Sequence, residues 1–290
     1  MSEILNKHGF SFQKKYGQNF LQDVKIPRRI AAECSEYKKP EQGKIPALVL
    51  EIGPGAGILT KELAEIFERV TAVEIDTSLE PVLKETLAGY DNAEVVFGDV
   101  METDLESLLE PRRMGADGTR LPVLVCANLP YYITTPILMK LVEQYGDFEY
   151  ITVMVQKEVA TRLTAAPGNA EYGSITAALN LYGTVKRLFT VPSGCFYPRP
   201  KVDSAVVRIA LHKPAKFTKE QISAASKVIK AAFAVRRKTL VNGLCTVSEL
   251  DKAALSELVA DTFDGNANVR GETLSAEQFV ILAEKLGIGK

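Results

Sequence analysis

From residue 48 onward, short and almost wholly apolar runs alternate with longer segments whose apolar residues recur every three or four positions. "LVLEI" (48–52), "VTAVEI" (70–75), "AEVVFGD" (93–99), "VLVCAN" (123–128) and "YITVMVQ" (150–156) have the length and Val/Ile content of buried strands. Between them, "ILTKELAEIFE" (58–68) places Leu59, Leu63, Ile66 and Phe67 on one helical face. "SLEPVLKETLA" (78–88) reads as a helix with Ser78 as N-cap and Pro81 in its first turn. "TPILMKLVEQY" (135–145), "KEVATRLTA" (157–165) and "YGSITAALNLYG" (172–183) read as further helices. Strands this apolar, separated by helices, predict a parallel sheet covered on both faces. Two β-rich pieces follow, "TVKRLFTV" (184–191) and "SAVVRIAL" (204–211). Near "HKPAKFTKE" the pattern changes, and from Thr218 only helical spacing remains, as in "EQISAASKVIKAAFAV". The expected organisation is an α/β domain over 1–212 and a smaller all-α domain over 213–290.

The composition narrows the chemistry. There are two histidines, His8 and His212, neither in a motif, so a histidine-based triad or a histidine zinc site is not expected. The four cysteines (Cys34, Cys126, Cys195, Cys245) are widely spaced and form no C-x-x-C pair, as in a reducing compartment. No apolar run approaches the ~18 residues of a membrane span, and the first residues lack a signal-peptide core, so a soluble cytoplasmic protein is expected. Net charge is -1, but the charge is uneven. From Lys186 to Lys238 thirteen cations face only Asp203 and Glu220, which favours a polyanionic partner.

The loop after the first of these strands is "EIGPGAGIL", with Gly53, Gly55 and Gly57 spaced G-x-G-x-G. An open α/β sheet binds nucleotide-like ligands at this position. The dinucleotide fingerprint is G-x-G-x-x-G, however, and Pro54 removes a backbone N–H that a pyrophosphate would need. An adenosine without phosphates fits better. Glu74, 21 residues after Gly53, can accept from both ribose hydroxyls, a feature shared by NAD and S-adenosylmethionine sites. Asp99, ending the third strand, is placed to accept from an adenine amine.

The fourth strand runs into Asn128-Leu129-Pro130-Tyr131. An aromatic amine donates its lone pair into its ring and is a poor nucleophile. Two acceptors that hold its hydrogens bias the nitrogen toward pyramidal geometry. The Asn128 side-chain oxygen and the carbonyl of Leu129 or Pro130 can be those acceptors, with Tyr131 stacked on the base. A methyl donor that already carries positive charge requires neither a strong base nor a metal.

Together "KKYGQNFL", "LEIGPGAGILT", "VEID", "GDV", "NLPYYITTPIL", "MVQKEVATRL", "YGSITAAL" and "CFYPRPKVDSAVVRI" resemble the small-subunit ribosomal RNA adenine dimethyltransferases, the KsgA/RsmA family. The likeness runs from about Lys14 to "FAVRRKTLVNGL" with the motifs in order. It implies a Rossmann-like class I methyltransferase sheet with S-adenosylmethionine as methyl donor and no metal. It also implies dimethylation at N6 of two adjacent adenosines in the 3′-terminal hairpin of small-subunit (16S) rRNA, with a role in subunit biogenesis. Carried over by residue, Asn19 and Leu21 would close over the donor, Gly53 would face its methionine part, Glu74 the ribose and Asp99 the adenine amine. Gly55, Ile75 and Val100 belong with the donor site, and Asn128 to the junction of donor and target. Phe196 would cover the target base opposite Tyr131. The partner implied is the small ribosomal subunit, gripped by the basic belt of a monomer, with no membrane involved.

Three other readings compete. The rRNA methylases of macrolide resistance share the loop and N-x-P-Y but act on the large subunit; the helical tail and "PKVDSAVVRI" favour the small-subunit family. A non-catalytic assembly factor would have a damaged loop or a lost Asn-x-Pro-Tyr. A dehydrogenase is disfavoured by the glycine spacing and the missing histidine.

Overall fold

The structure, a computed structural model, describes residues 2–11, 13, 17–38, 40–234 and 239–288. Lys14 at the start of the family motifs, and Arg236, Arg237 and Lys238 of the basic belt, lie outside the described residues.

Nine strands are present among the described residues: β1 Phe20–Leu21, β2 Ile45–Ile52, β3 Phe67–Glu74, β4 Ala93–Phe97, β5 Val123–Asn128, β6 Phe148–Gln156, β7 Gly183–Val191, β8 Phe196–Tyr197 and β9 Ser204–Leu211. Seven of them form one sheet in the order β4-β3-β2-β5-β6-β9-β7, while β1 and β8 form a separate antiparallel pair. The pairs from β4 through β6 are parallel and β9 joins β6 antiparallel. The chain winds outward from β2 to β4, then returns to place β5 on the other side of β2. That reversal makes the carboxyl ends of β2 and β5 the crevice where an open α/β sheet binds ligands. The predicted fold class is the one observed.

The predicted strands are found, most extended by a few residues at one end. β2 begins at Ile45 because Ile45 and Ala47 are buried with the rest of the run. The helix predicted to start at Ser78 is a 3₁₀ turn, Thr77–Leu79, followed by an α-helix, Glu80–Thr86. Its cap is Asp76, whose carboxylate accepts from Ser78 N–H, so Ser78 lies inside the turn. Helices Ser2–Lys7 and Lys25–Ala32 and the two-residue strands lie outside the predicted elements, although Lys25–Ala32 is amphipathic and buries Pro27, Ile30 and Ala31 on one face.

The chain forms two compact units, one of 1–160 with 186–211, the other of 161–185 with 212–290. The sequence places 161–185 in the α/β part, whereas it packs with the helical residues. The reason is Tyr172, fully buried in a cluster with Val228, Ile229, Leu274 and Phe279, its hydroxyl donating to the Leu274 carbonyl at 2.8 Å. Gly168 N–H adds a bond to the Glu272 carbonyl at 2.8 Å. Among the described residues this second unit contains the helices Ser174–Leu179, Lys219–Ala234, Leu240–Leu244, Lys252–Thr262 and Ala276–Lys285.

The basic belt is thinner than its sequence suggests. Arg208 is buried, donates to the Glu33 and Ser35 carbonyls and pairs with Glu36 at 2.6 Å. Lys216 is paired with Glu277. Lys186, Arg187, Arg199, Lys201, Lys219, Lys227 and Lys230 are exposed.

Candidate active site

A cavity of about 110 Å³ opens at the carboxyl ends of β2, β3 and β5. Each strand contributes through the residues that end it: Glu51 and the glycine loop from β2, Glu74 and Ile75 from β3, and Asn128 through Tyr131 from β5. A strap of residues 17–21 forms the remaining wall.

The glycine loop is folded upon itself. Gly53, Gly55 and Gly57 have φ of 68°, 57° and 79°, a conformation that costs a residue with a Cβ roughly 1–2 kcal/mol. Gly53 N–H donates to the Val73 carbonyl at 2.9 Å, Gly55 N–H to Glu74 Oε2 at 3.0 Å and Gly57 N–H to the Pro54 carbonyl at 2.9 Å. With Pro54 lacking an N–H, these loop donors are spent internally, so the loop is poorly equipped to hold a pyrophosphate. At Gly55 the Phe20 ring from the strap comes so close that a Cβ would sit 2.5 Å from it.

The cavity instead gathers acceptors. Glu74 is buried; Oε1 takes Asp76 N–H at 2.9 Å while Oε2 holds Gly55. A carboxylate offers about four lone-pair sites, and with Ile75 N–H also acting on this one, acceptor capacity is still left over. Burial pushes the Glu74 carboxyl above the usual range, against the pull of those backbone donors. Glu51 is more extreme: it is 1% exposed, and its Oε2 has no hydrogen-bond partner among the described residues. Burial pushes its pKa to about 8; the Thr60 hydroxyl works against that rise and the Glu74 charge adds to it. Two buried carboxylates beside a donor-poor loop fit a cationic adenosine ligand with a free diol. This acceptor set fits S-adenosylmethionine.

At the end of β5, Asn128 is half-buried and its Nδ2 donates to the Asn19 carbonyl at 3.1 Å. That bond decides which end of the carboxamide is the oxygen. Ile133 N–H and the Thr134 hydroxyl both donate to the Pro130 carbonyl, at 3.3 and 3.1 Å, filling its two lone pairs. The Leu129 carbonyl accepts no hydrogen bond from the described residues, while Leu129 N–H is spent on the Met154 carbonyl at 3.1 Å. Of the two carbonyls the sequence offers, that of Leu129 is the one left without a donor among the described residues. The Tyr131 hydroxyl shares a 2.7 Å hydrogen bond with Ser204, which fixes the ring.

Of the residues singled out from sequence, Asn19, Leu21, Gly53, Gly55, Glu74, Ile75, Asn128, Leu129, Pro130 and Tyr131 line the cavity together. Asp99, Val100 and Phe196 do not. Asp99 stands after β4, the edge strand, where its Oδ1 accepts from Met101 N–H at 2.8 Å. Val100 is buried beside it. Phe196 pairs with Leu21 in the short β1–β8 ladder and is 3% exposed within the core cluster of Leu21 and Met154. Glu51, Gln18 and Phe20 line the cavity without having been singled out. Glu51 had a legible signal, a lone carboxylate inside a wholly apolar run; Gln18 and Phe20 had only their place in the motif "KKYGQNFL".

Comparison with known proteins agrees with this geometry. Residues 9–284 match the ribosomal RNA adenine dimethylase family. Proteins called ribosomal RNA small subunit methyltransferase A are similar throughout: that of Bacillus licheniformis is 42% identical over 290 residues, covering 98% of this chain and 94% of its own. The Streptococcus agalactiae protein is 42% identical over 286 residues, with the same coverage. Among solved structures, a dimethyladenosine transferase from Plasmodium falciparum is 25% identical with a TM-score of 0.73, covering 93% of this chain and 98% of its own. The 23S rRNA methyltransferase ErmE is 26% identical with a TM-score of 0.67, covering 92% and 99%. The chain belongs to the ribosomal RNA adenine dimethylase family and is an S-adenosylmethionine-dependent rRNA adenine dimethyltransferase.

Proposed function

We propose that the chain dimethylates N6 of two adjacent adenosines in the 3′-terminal hairpin loop of small-subunit (16S) rRNA, acting in the cytoplasm as a monomer during subunit biogenesis. The observation that carries the reading is the Asn128 carboxamide. Its nitrogen is tied to the Asn19 carbonyl, which leaves Oδ1 as the end available to a target. Oδ1 and the free Leu129 carbonyl then hold the two N6 hydrogens, so the nitrogen lone pair is withdrawn from the ring and aimed at the donor side. Bound S-adenosylmethionine supplies an electrophilic methyl on a sulfonium. Gly53, Glu74 and Ile75 would hold it beside Glu51, and Asp99 and Val100, which stand after β4, would complete the donor site. Tyr131, its hydroxyl pinned by Ser204, presents a fixed aromatic face to the purine. Phe196, paired with the cavity-lining Leu21, is proposed as the opposite face of the target pocket.

The names of the most similar relatives support the small-subunit target. The likeness to ErmE favours a second reading, a large-subunit target. Incubating unmethylated small and large subunits with labelled donor and mapping the labelled nucleotides decides between them. Label on two neighbouring adenosines of the small-subunit 3′ hairpin is expected; label confined to large-subunit rRNA would overturn the proposal.

A further inference from the structure

The carboxamide of Asn128 is nearly symmetric in shape but not in chemistry. A half-turn replaces the acceptor oxygen by an NH₂ group, which would face the hydrogens of an incoming amine and repel them. What prevents the half-turn is the Asn19 carbonyl, which can receive only the nitrogen end. That carbonyl is on the strap, so the orientation of Asn128 depends on whether the strap is down.

Downstream of Asn19 the strap is held by Phe20 against Gly55, by the Leu21–Phe196 pairing and by Gln22 N–H to the Cys195 carbonyl at 2.8 Å. On its upstream side, among the described residues, it is held by a short bond from Gln18 Nε2 to Asp76 Oδ2 at 2.7 Å and a longer one from Gln13 Nε2 to Asp76 Oδ1 at 3.5 Å. Gln18 cannot reverse its own amide, because Oε1 accepts Gln13 N–H at 3.0 Å. Asp76 cannot swing away either. It is 3% exposed, its Oδ1 takes the Ser78 N–H and hydroxyl at 3.1 and 2.6 Å, and its own N–H is bound by Glu74. A continuous set of bonds therefore runs from the donor-side carboxylate Glu74, through Asp76 and Gln18, to the strap carbonyl that orients Asn128.

We propose that the Gln18–Asp76 hydrogen bond is a latch that sets which end of the Asn128 carboxamide faces the target, making Gln18 and Asp76 positioning residues for methyl transfer. The inference rests on Asn128 being the acceptor for the target amine.

Its test is a charge-and-amide exchange. Gln18→Glu sets a second carboxylate against Asp76, and Asp76→Asn sets two NH₂ groups against each other. In the double variant the amide introduced at position 76 can donate to the carboxylate introduced at position 18 while its oxygen still accepts from Ser78, so the bond returns in reverse. Turnover and KM on unmethylated small subunits are measured for all three beside Asn128→Ala, with hydrogen exchange of residues 17–22. Each single variant is expected to lose at least tenfold in kcat with KM for the subunit within threefold, and to exchange faster in the strap. The double variant is expected to recover to within threefold of the parent on both readouts. Single variants with unchanged kcat, while Asn128→Ala falls at least a hundredfold, would overturn the latch and leave the acceptor role standing. A double variant as impaired as the singles would also overturn it, by assigning these residues a general structural role. Unchanged turnover in Asn128→Ala would remove the acceptor reading, and the latch with it.

Discussion

Replacing Glu51 by glutamine keeps the shape of a side chain that lines the cavity and removes its proton equilibrium. Burial holds the carboxyl near a pKa of about 8, against an ordinary value of 4.5. The raised value fixes the sign: between these two values the folded protein binds the proton and the unfolded chain does not. The stabilisation is fully present below about pH 4.5 and is lost as pH rises through about 8. Between pH 5.5 and 8 the linkage amounts to roughly 2 pH units, or about 3 kcal/mol at 1.36 kcal/mol per unit. With m-values of about 1–3 kcal/mol/M, the urea midpoint of the parent should fall by roughly 1–3 M relative to the variant over that interval. Urea unfolding followed by far-UV circular dichroism at pH 5.5 and pH 8, for both proteins, measures it. Glu74, also raised by burial, is present in both proteins, and its coupling to Glu51 is part of the difference measured. Parallel behaviour of parent and Glu51→Gln across this range would show that Glu51 is charged in the folded protein, and would refute the account of a carboxyl kept protonated by burial.

Asn128→Ala should leave S-adenosylmethionine affinity within a few-fold and lower turnover by about 10²–10³, the usual cost of one lost transition-state contact; calorimetry and single-turnover kinetics separate the two. Glu74→Ala should instead weaken donor binding at least tenfold, since it removes the ribose acceptor and frees Gly55 and Asp76 N–H; an unchanged Kd would take Glu74 off the ribose. Gly55→Ala should cost about 1–2 kcal/mol in backbone conformation alone and displace Phe20, so donor affinity and thermal stability fall together.

The parallel core of the fold was legible because its strands are continuous apolar runs, and a strand such as "VLVCAN" buries the side chains of both its faces in a sheet covered on both sides. The second unit's share of the chain was less so. Nothing local to 172–183 reveals that Tyr172 finds its hydrogen-bond partner at Leu274, 102 residues later. In the site, Gly53, Glu74 and Asn128 announced themselves by standing at the ends of predicted strands. The strap was legible through the motif "KKYGQNFL", which gives Asn19 and Leu21, but the contacts of Gln18, Asn19 and Phe20 with Asp76, Asn128 and Gly55 were not, each being distant in sequence. Glu51 and Arg208 show opposite sides of one rule: a charge inside an apolar run is either a site, like Glu51, or a paired structural group, like Arg208 with Glu36. Only the partners distinguish them.

The most direct test of the account is a crystal structure of the protein with S-adenosylmethionine, or a non-reactive analogue, and an adenosine in the target pocket. The account predicts Asn128 Oδ1 and the Leu129 carbonyl within about 2.7–3.2 Å of the adenosine N6, with that nitrogen roughly 3–3.5 Å from the transferable methyl. An Asn128 carboxamide presenting Nδ2 to the base, or an N6 held by the Pro130 carbonyl instead, would contradict it.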